Sequence, residues 1–369
     1  METDLIFSSL IVALGLLPCA SSARLEPVVS ALPALHVADK HLADSVGKRV
    51  RLRGVNVASL EWSTNGEGHV LDTLRVATHD WHSNIVRLPL SQDRWMGKAT
   101  DQHGDAAPYR KLVAAAVEAC ENNSSYAILD LHWSDAGVWG KQIGQHKMPD
   151  TNSIAFWKEV AAAYKNRSSV IFDLYNEPHN VTWDVWKKGG EIDEKDEKTG
   201  EVTRYTGVGM QALLDTVRAT GAKNVVIAGG LDWAYDMSGF LQGNTLQDAS
   251  GNGVVYANHT YPFKGDAFVT WQRKIRFAAS QIPVIVSEFG PVPKKNDPNR
   301  DEWIRQVLQE LKDTDLDWTA WDMHPGASPC LISGWDYKPT DFFGTYVKQA
   351  LEGKLAPYTV PDTAGDRKP

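Results

Sequence analysis

The sequence has little clustered basic charge. Its 38 Lys and Arg residues are outnumbered by 46 Asp and Glu residues, which gives a formal net charge of −8. The basic clusters, Lys187-Lys188 and Lys294-Lys295, are short, whereas binding to a phosphate backbone requires a basic patch. The composition therefore argues against a nucleic-acid partner. With 43% apolar residues, it also excludes intrinsic disorder.

Long apolar segments are missing as well. Residues 5–17 form an apolar run that is too short for an ordinary membrane-spanning helix, and no later run reaches spanning length. Small residues at Ser21 and Ala23 suit cleavage by signal peptidase. We therefore predict a signal peptide over residues 1–23, secretion, and a mature protein without a membrane anchor. The segment before the run lacks Lys and Arg, so an uncleaved anchor is the alternative.

No linker rich in Pro, Ser or Gly interrupts the chain, so a tethered second module is not expected. We predict an N-terminal extension over residues 24–46, a single domain over residues 47–356 and a polar, frayed tail over residues 357–369. The most polar insertion, residues 187–204, carries charges of both signs. It is expected to be a solvated loop, with a mobile rim of a binding cleft as the alternative.

Short β-branched or aromatic runs alternate with amphipathic helical stretches, a pattern typical of repeated βα units and a parallel sheet. Eight strand-like runs predict a single (β/α)8 TIM barrel of the α/β class. They cover residues 50–57, 84–90, 126–132, 170–177, 224–230, 254–261, 283–290 and 317–323.

Cysteine is scarce, with three copies in 369 residues. Cys19 falls in the predicted signal peptide. In the predicted barrel, Cys120 and Cys330 lie at opposite ends, roughly one helix length or 20 Å apart, which is too far for a disulfide. We expect no bond between them.

Polar or aromatic residues end six of the predicted strands. In a (β/α)8 barrel the strand ends and the following loops form the active site, and so many polar groups at one face would be costly unless they served one another or a ligand. The residues are Arg87, Asp130, His132, Asn176, Glu177, His259, Tyr261, Glu288, Trp321 and Asp322.

Two carboxylic acids, Glu177 and Glu288, follow strands that face each other across the predicted barrel. A pair of this kind is what a glycosidase requires, because one acid protonates the leaving oxygen and the other attacks or activates water. Either residue taken alone is equally compatible with a structural salt bridge, for example between Glu288 and Arg87. The surrounding polar residues favour the catalytic interpretation of the pair.

With these residues the chain resembles glycoside hydrolase family 5, the cellulase-type retaining (β/α)8 glycosidases. The resemblance spans roughly residues 47–351 and is carried by VRLP at Arg87, LDLH at His132, LYNEP at Asn176 to Pro178, NHTYP at His259 and Tyr261, VSEFG at Glu288 and TAW at Trp321. It implies that Glu177 is the general acid and base and that Glu288 is the nucleophile. It further implies that Arg87 and Tyr261 hydrogen-bond Glu288 and keep it ionised.

By the same resemblance, Asn176 would bind the sugar 2-OH, His132 and His259 would line the cleaving subsite, and Trp321 would form its floor. We expect no metal or organic cofactor. Histidines beside a carboxylate can imitate a zinc site, but the HExxH spacing is absent. We also expect Arg87→Ala to slow turnover greatly with little change in fold.

Tryptophan is abundant, with 14 copies, and some of the rings are expected to stack on sugars. Trp157, Trp271 and Trp303 fall in predicted helices and are assigned to the core. The candidates for substrate contact follow predicted strands: Trp62, Trp95, Trp133, Trp139, Trp183, Trp186, Trp233 and Trp335.

Rings spaced along a cleft favour an endo-acting enzyme on an extended β-linked chain. We therefore predict a secreted, monomeric endo-β-glycosidase acting on a β-linked polysaccharide, with β-1,4-glucan (cellulose) as the favoured substrate. The loop after Trp321 departs from that of bacterial endoglucanases, which leaves β-mannan and other β-glucans open. Two further alternatives are a glycan-binding barrel without turnover and a transglycosylase.

Overall fold

The structure is a computed structural model that describes residues 1, 32–195, 199–249, 252–292 and 301–358. The predicted signal peptide and most of the predicted C-terminal tail lie outside these ranges. Among the described helices, none combines the length and the apolar character that crossing a membrane requires.

Strands and helices alternate through most of the chain. The strands are β1 (His36–Ala38), β2 (His41–Ala43), β3 (Arg53–Asn56), β4 (Ile85–Ser91), β5 (Tyr126–Trp133), β6 (Val170–Asp173), β7 (Gly189–Lys195), β8 (Val202–Val208), β9 (Val226–Gly229), β10 (Val254–Thr260), β11 (Val284–Phe289) and β12 (Asp317–Ala320). The α-helices are α1 (Val70–Arg75), α2 (Gln92–Trp95), α3 (Ala107–Asn122), α4 (Thr151–Tyr164), α5 (Trp183–Lys188), α6 (Met210–Ala219), α7 (Leu231–Ala234), α8 (Ser238–Leu241), α9 (Phe268–Ala279), α10 (Glu302–Asp313) and α11 (Gly344–Leu351).

Eight parallel strands close into a barrel in the order β3-β4-β5-β6-β9-β10-β11-β12, and β12 pairs with β3. Each of the eight predicted runs coincides with one of these strands to within a few residues at its ends, so the predicted (β/α)8 barrel is confirmed. The strands are buried on both faces apart from their ends, since side chains fill the interior and helices cover the outside.

A small hairpin lies at the amino ends of the barrel strands. It consists of β1 and β2, and it falls within the predicted N-terminal extension. Leu35 and Leu42 belong to the same buried cluster as Leu52 and Ile85, which begin two barrel strands or directly precede them. The extension therefore closes the barrel at the end opposite the predicted active site.

The prediction of a solvated loop over residues 187–204 is wrong, because β7 and β8 form an antiparallel hairpin there. Ile192 and Tyr205 lie opposite each other in this hairpin and both are buried. The Tyr205 hydroxyl accepts a hydrogen bond from the Met148 backbone N–H at 3.1 Å. Apolar residues at alternate positions thus bury one face, although the high charge content of the segment suggested a loop. Helix α6 begins at Met210, directly after this hairpin.

Several tryptophans assigned to the substrate face are core residues. Trp95 and Trp186 are 3% and 0% exposed, so the prediction that they contact substrate is wrong. Trp186 donates from Nε1 to the Gly229 carbonyl at 2.9 Å. Trp157 and Trp271 are buried, as predicted. Cys120 and Cys330 are both free thiols.

We predict that Trp186→Ala lowers the free energy of unfolding by about 3–5 kcal/mol, because it leaves a large cavity and removes a buried hydrogen bond. Urea unfolding measures the change. Phe277→Ala, at a side chain that is 59% exposed, serves as the control and is expected to change stability by less than about 0.5 kcal/mol. A Trp186→Ala protein as stable as the control would contradict the assignment of this ring to the core.

Candidate active site

A cavity of 700 Å³ opens at the carboxyl ends of the barrel strands. Six of the eight residues predicted for the site line this cavity, and the other two, Arg87 and His259, lie directly behind it. The full lining is His132, Gln145, Asn176, Glu177, Asp232, Trp233, Tyr261, Phe263, Lys264, Glu288, Trp321, Ser328 and Pro329.

Arg87, near the middle of β4, is fully buried among acidic groups. Its guanidinium donates from Nη1 to Glu288 Oε1 at 2.7 Å and from Nε to Asp173 Oδ2 at 3.0 Å. Its Nη2 lies 3.1 Å from Asp130 Oδ2 and donates to Asn176 Oδ1 at 2.8 Å. Because the planar guanidinium presents five donors in a fixed fork, one side chain links residues on or after three other barrel strands, β5, β6 and β11.

Glu288, on β11, is held from two directions. Arg87 donates to Oε1, and the Tyr261 hydroxyl donates to Oε2 at 2.8 Å. Burial raises the pKa of Tyr261 well above its usual value, so the phenol keeps its proton. Both oxygens of Glu288 therefore accept a hydrogen bond, one from a cation and one from a phenol.

Glu177 follows β6, and its surroundings differ from those of Glu288. Burial raises the pKa of Glu177 to about 7. Its Oε1 lies 2.9 Å from Nδ1 of His259, whose pKa burial lowers to about 3. A neutral imidazole supplies no charge to ionise the acid. Glu177 therefore holds its proton to a higher pH than an ordinary glutamic acid does.

The two carboxyl groups are close. One oxygen of Glu177 and one of Glu288 lie within 4.8 Å of each other. Glycosidases that retain anomeric configuration have carboxyl groups about 5–5.5 Å apart, whereas inverting enzymes require about 6.5–9.5 Å to admit a water molecule. The separation favours a direct attack by one carboxylate.

His132, at the end of β5, is neutral. Burial lowers its pKa to about 4. Its Nδ1 is 2.6 Å from Asp130 Oδ2, and its Nε2 is 3.3 Å from the Asn176 amide nitrogen. The acceptor at Asp130 fixes the proton on Nδ1. The imidazole ring also stacks on Trp321, with centroids 5.3 Å apart, so it orients both a polar group and an aromatic floor.

The prediction that His259 lines the cleaving subsite is wrong. His259 is 0% exposed, and its ring nitrogens are occupied by Glu177 and by the Ser287 hydroxyl at 3.0 Å. It lies behind Glu177 and orients it. Asp322, another strand-end candidate, is fully buried, and its carboxyl oxygens have no hydrogen-bond partner among the described residues. Asp322 therefore does not reach the cavity.

Sequence reasoning missed Gln145, Asp232, Phe263 and Lys264 as lining residues. They lie on loops beyond the strand ends, where no periodicity marks which side chains face inward. Gln145 accepts from the Asn176 amide at 2.9 Å and donates to the Glu177 carbonyl at 3.2 Å. Its position between two predicted site residues could not be inferred from spacing.

Glu177, His259 and Glu288 have the donor atoms that a metal ion could use, all within 4.8 Å of one another. The chemistry of their neighbours opposes that use. Arg87 already places a positive charge 2.7 Å from Glu288, and both nitrogens of His259 have protein partners. The cluster fits a carboxylate pair that works through proton transfer better than a metal site.

Comparison with known proteins identifies the family. Residues 43–327 match the sequence profile of the cellulase family, glycosyl hydrolase family 5. The chain belongs to this family. It is 25% identical over 336 residues to an endoglucanase of Microbulbifer sp. (strain ALW1), an alignment that covers 87% of this chain and 58% of that protein. An endoglucanase of Dickeya dadantii is 25% identical over 280 residues, with 73% and 56% covered. The family 5 chain thus spans less than two thirds of these relatives.

Solved structures share the fold. A β-glucanase of Saccharophagus degradans in complex with cellotetraose has a TM-score of 0.69 at 24% identity, covering 88% of this chain and 95% of that one. A β-mannanase of Streptomyces thermolilacinus with mannohexaose has a TM-score of 0.63 at 19% identity, with 88% and 97% covered. The family fold is therefore shared by enzymes named for different polysaccharides and does not select the substrate.

The burial of Arg87 overturns the expectation that Arg87→Ala leaves the fold unchanged. We predict that this substitution lowers the free energy of unfolding by about 3–5 kcal/mol, because Asp130, Asp173 and Glu288 lose their common cation. Urea unfolding measures the loss. Arg204→Ala, at an exposed ion pair with Asp193, is the matched control and should unfold like the wild type. If Arg87→Ala also unfolded like the wild type, the balance of charge around Arg87 would not contribute to stability.

Proposed function

We propose that this protein is a retaining endo-β-glycosidase in which Glu288 is the nucleophile and Glu177 is the general acid and base. The observation that carries the proposal is the pair of carboxyl groups within 4.8 Å, set in opposite environments. Arg87 and Tyr261 donate hydrogen bonds to Glu288, while burial raises the pKa of Glu177 to about 7.

The proposed reaction has two displacements. In the first, a Glu288 oxygen bonds to the anomeric carbon as the glycosidic bond breaks, and Glu177 gives its proton to the leaving oxygen. In the second, Glu177 takes a proton from water, whose oxygen attacks the anomeric carbon and releases Glu288. Anomeric configuration is retained, and Glu177 ends protonated again.

We propose β-1,4-glucan as the substrate. The family membership and the endoglucanase relatives support a β-glucan, and the lining of the cavity by Trp321, Trp233 and Phe263 suits the flat faces of glucose units. β-Mannan is the second candidate, because a β-mannanase has the same fold. A protein that binds glycan without turnover would not need two acids in such different surroundings, so this alternative is less well supported.

We also propose that the protein acts outside the cell as a monomer. The apolar run at residues 5–17 and the small residues that follow it support a cleaved signal peptide. Secretion suits an enzyme whose polymeric substrate cannot enter the cell.

The test is hydrolysis of carboxymethyl-cellulose, mannan, xyloglucan and laminarin by the wild type, Glu177→Gln and Glu288→Gln. We predict that carboxymethyl-cellulose is hydrolysed and that each substitution lowers kcat by at least about 10³-fold, because each acid has a separate role. Proton NMR of the first product should show the β anomer.

The exposed Glu191→Gln variant is the control and should keep full activity. A first product with the α anomer would contradict the retaining mechanism. Activity on mannan alone would mean that β-mannan, and not β-1,4-glucan, is the substrate. Inactivity of the wild type on all four polymers would favour a role in glycan binding without turnover.

We predict that kcat/KM falls as the pH rises through about 7, because Glu177 must be protonated to act as an acid and its pKa is raised to that value. The fall should be tenfold per pH unit on the alkaline side. A pH–rate profile with cellotetraose measures it. With 2,4-dinitrophenyl β-cellobioside, whose leaving group needs no proton, the fall should vanish; an unchanged profile would assign this ionisation to another group.

A further inference from the structure

The hairpin of β7 and β8 contacts a loop that lines the active cavity. This loop connects β5 to α4 and carries Gln145, whose side chain faces the cavity. Gln145 accepts a hydrogen bond from the Asn176 amide at 2.9 Å and donates one to the Glu177 carbonyl at 3.2 Å. Whatever holds this loop in place therefore bears on two residues of the active site.

His146, the residue after Gln145, has an acceptor at each ring nitrogen. Its Nδ1 lies 3.1 Å from Glu194 Oε2, and its Nε2 lies 2.6 Å from the Gln142 carbonyl oxygen. Because a carbonyl and an ionised carboxylate can only accept, both nitrogens must carry a proton. The ring is therefore an imidazolium. Burial by itself lowers the pKa of His146, but the hydrogen bond and the charge of Glu194 raise it above its usual value.

Glu194, on β7, lies on the inner face of the hairpin. It follows the buried Ile192 by two residues, which places both side chains on the same face. Its Oε2 also accepts from the Lys147 backbone N–H at 3.3 Å. Burial opposes its ionisation, but the hydrogen bond and the charge of His146 lower the pKa of Glu194. The other titratable groups around this ion pair are Lys147, Asp150, Tyr175, His179 and Tyr205.

The imidazolium closes the turn that presents Gln145 to the cavity. The His146 ring reaches back to the carbonyl of Gln142, four residues earlier. The His146 backbone N–H donates to the Tyr175 hydroxyl at 3.2 Å, and that hydroxyl lies 2.9 Å from the His146 carbonyl oxygen. Tyr175 directly precedes Asn176. Gln145 is thus held between a turn that the hairpin fixes and the segment that carries its two partners.

We propose that the ion pair of His146 and Glu194 positions Gln145 for its contacts in the active site. His146 is thus a positioning residue, which acts on Asn176 and Glu177 through Gln145. The hairpin of β7 and β8 supplies the carboxylate that keeps the imidazolium in place. This proposal rests on the proposed function, because it takes Glu177 to be the general acid and base.

A double-mutant cycle with cellotetraose tests the proposal. We expect His146→Ala and Gln145→Ala each to lower kcat roughly tenfold and to leave KM within about twofold, because displaced groups near the reacting atoms cost more in rate than in binding. The double variant should match Gln145→Ala to within about twofold, since residues that act through one another are not additive. Losses that multiply in the double variant, or an unchanged kcat in His146→Ala, would overturn the proposal.

Asp193→Asn is the matched control for Glu194→Ala. Asp193 is the neighbouring residue on β7, but its side chain pairs with Arg204 and is 54% exposed, against 20% for Glu194. We expect Asp193→Asn to keep full activity and Glu194→Ala to lose as much as His146→Ala. Should His146→Ala not fold, Glu194→Ala takes its place in the cycle. Equal activity of Asp193→Asn and Glu194→Ala would contradict the role of the ion pair.

NMR of the histidine ring nitrogens tests the charge of His146 without any substrate. In the wild type the pKa of His146 should lie above the usual value of a histidine, and in Glu194→Ala it should fall. A wild-type pKa at or below the usual value would overturn the proposal. Failure of the proposed function gives a different result, since the wild type would then not hydrolyse cellotetraose although His146 still titrated as expected.

Discussion

One buried cation determines the order of this active site. Arg87 has no exposure to solvent and contacts Asp130, Asp173 and Glu288. An uncompensated ion in a protein interior costs several kcal/mol, so the barrel must bring these carboxyl groups to the guanidinium. Since they come from β5, β6 and β11, their convergence on β4 fixes the alignment of the strands. The same contacts aim Glu288 at the cavity, and stability and site geometry therefore depend on one side chain.

The electrostatic difference between the two acids follows from this arrangement. Glu288 lies on the guanidinium, whereas the hydrogen-bond partner of Glu177 is a histidine that burial keeps neutral. Burial raises the pKa of Glu177 to about 7. Two chemically identical groups within one cavity thus have different surroundings, which suits one to give a proton and the other to attack.

The strand ends could be predicted from sequence because parallel strands bring their last residues to one face, and all eight site residues fall there or directly behind it. The depth at which each side chain is buried could not be predicted in this way. The alternation of buried and exposed residues along the sequence does not reveal that His259 lies behind Glu177, or that Trp186 packs in the protein core. The hairpin of β7 and β8 could not be predicted because its high charge content is typical of a loop. The position of Phe263 depends on its contact with Tyr261, which the order of residues in the sequence does not reveal.

The amide of Asn176 has consequences for the order of events in binding. Both of its N–H groups have partners within the protein, Gln145 at 2.9 Å and His132 at 3.3 Å, while its oxygen accepts from Arg87. A sugar hydroxyl can bond to this nitrogen only by taking the place of an existing acceptor. Such an exchange contributes little affinity in the ground state, because one hydrogen bond replaces another. Gln145 and His132 therefore set the orientation of the amide before any ligand arrives.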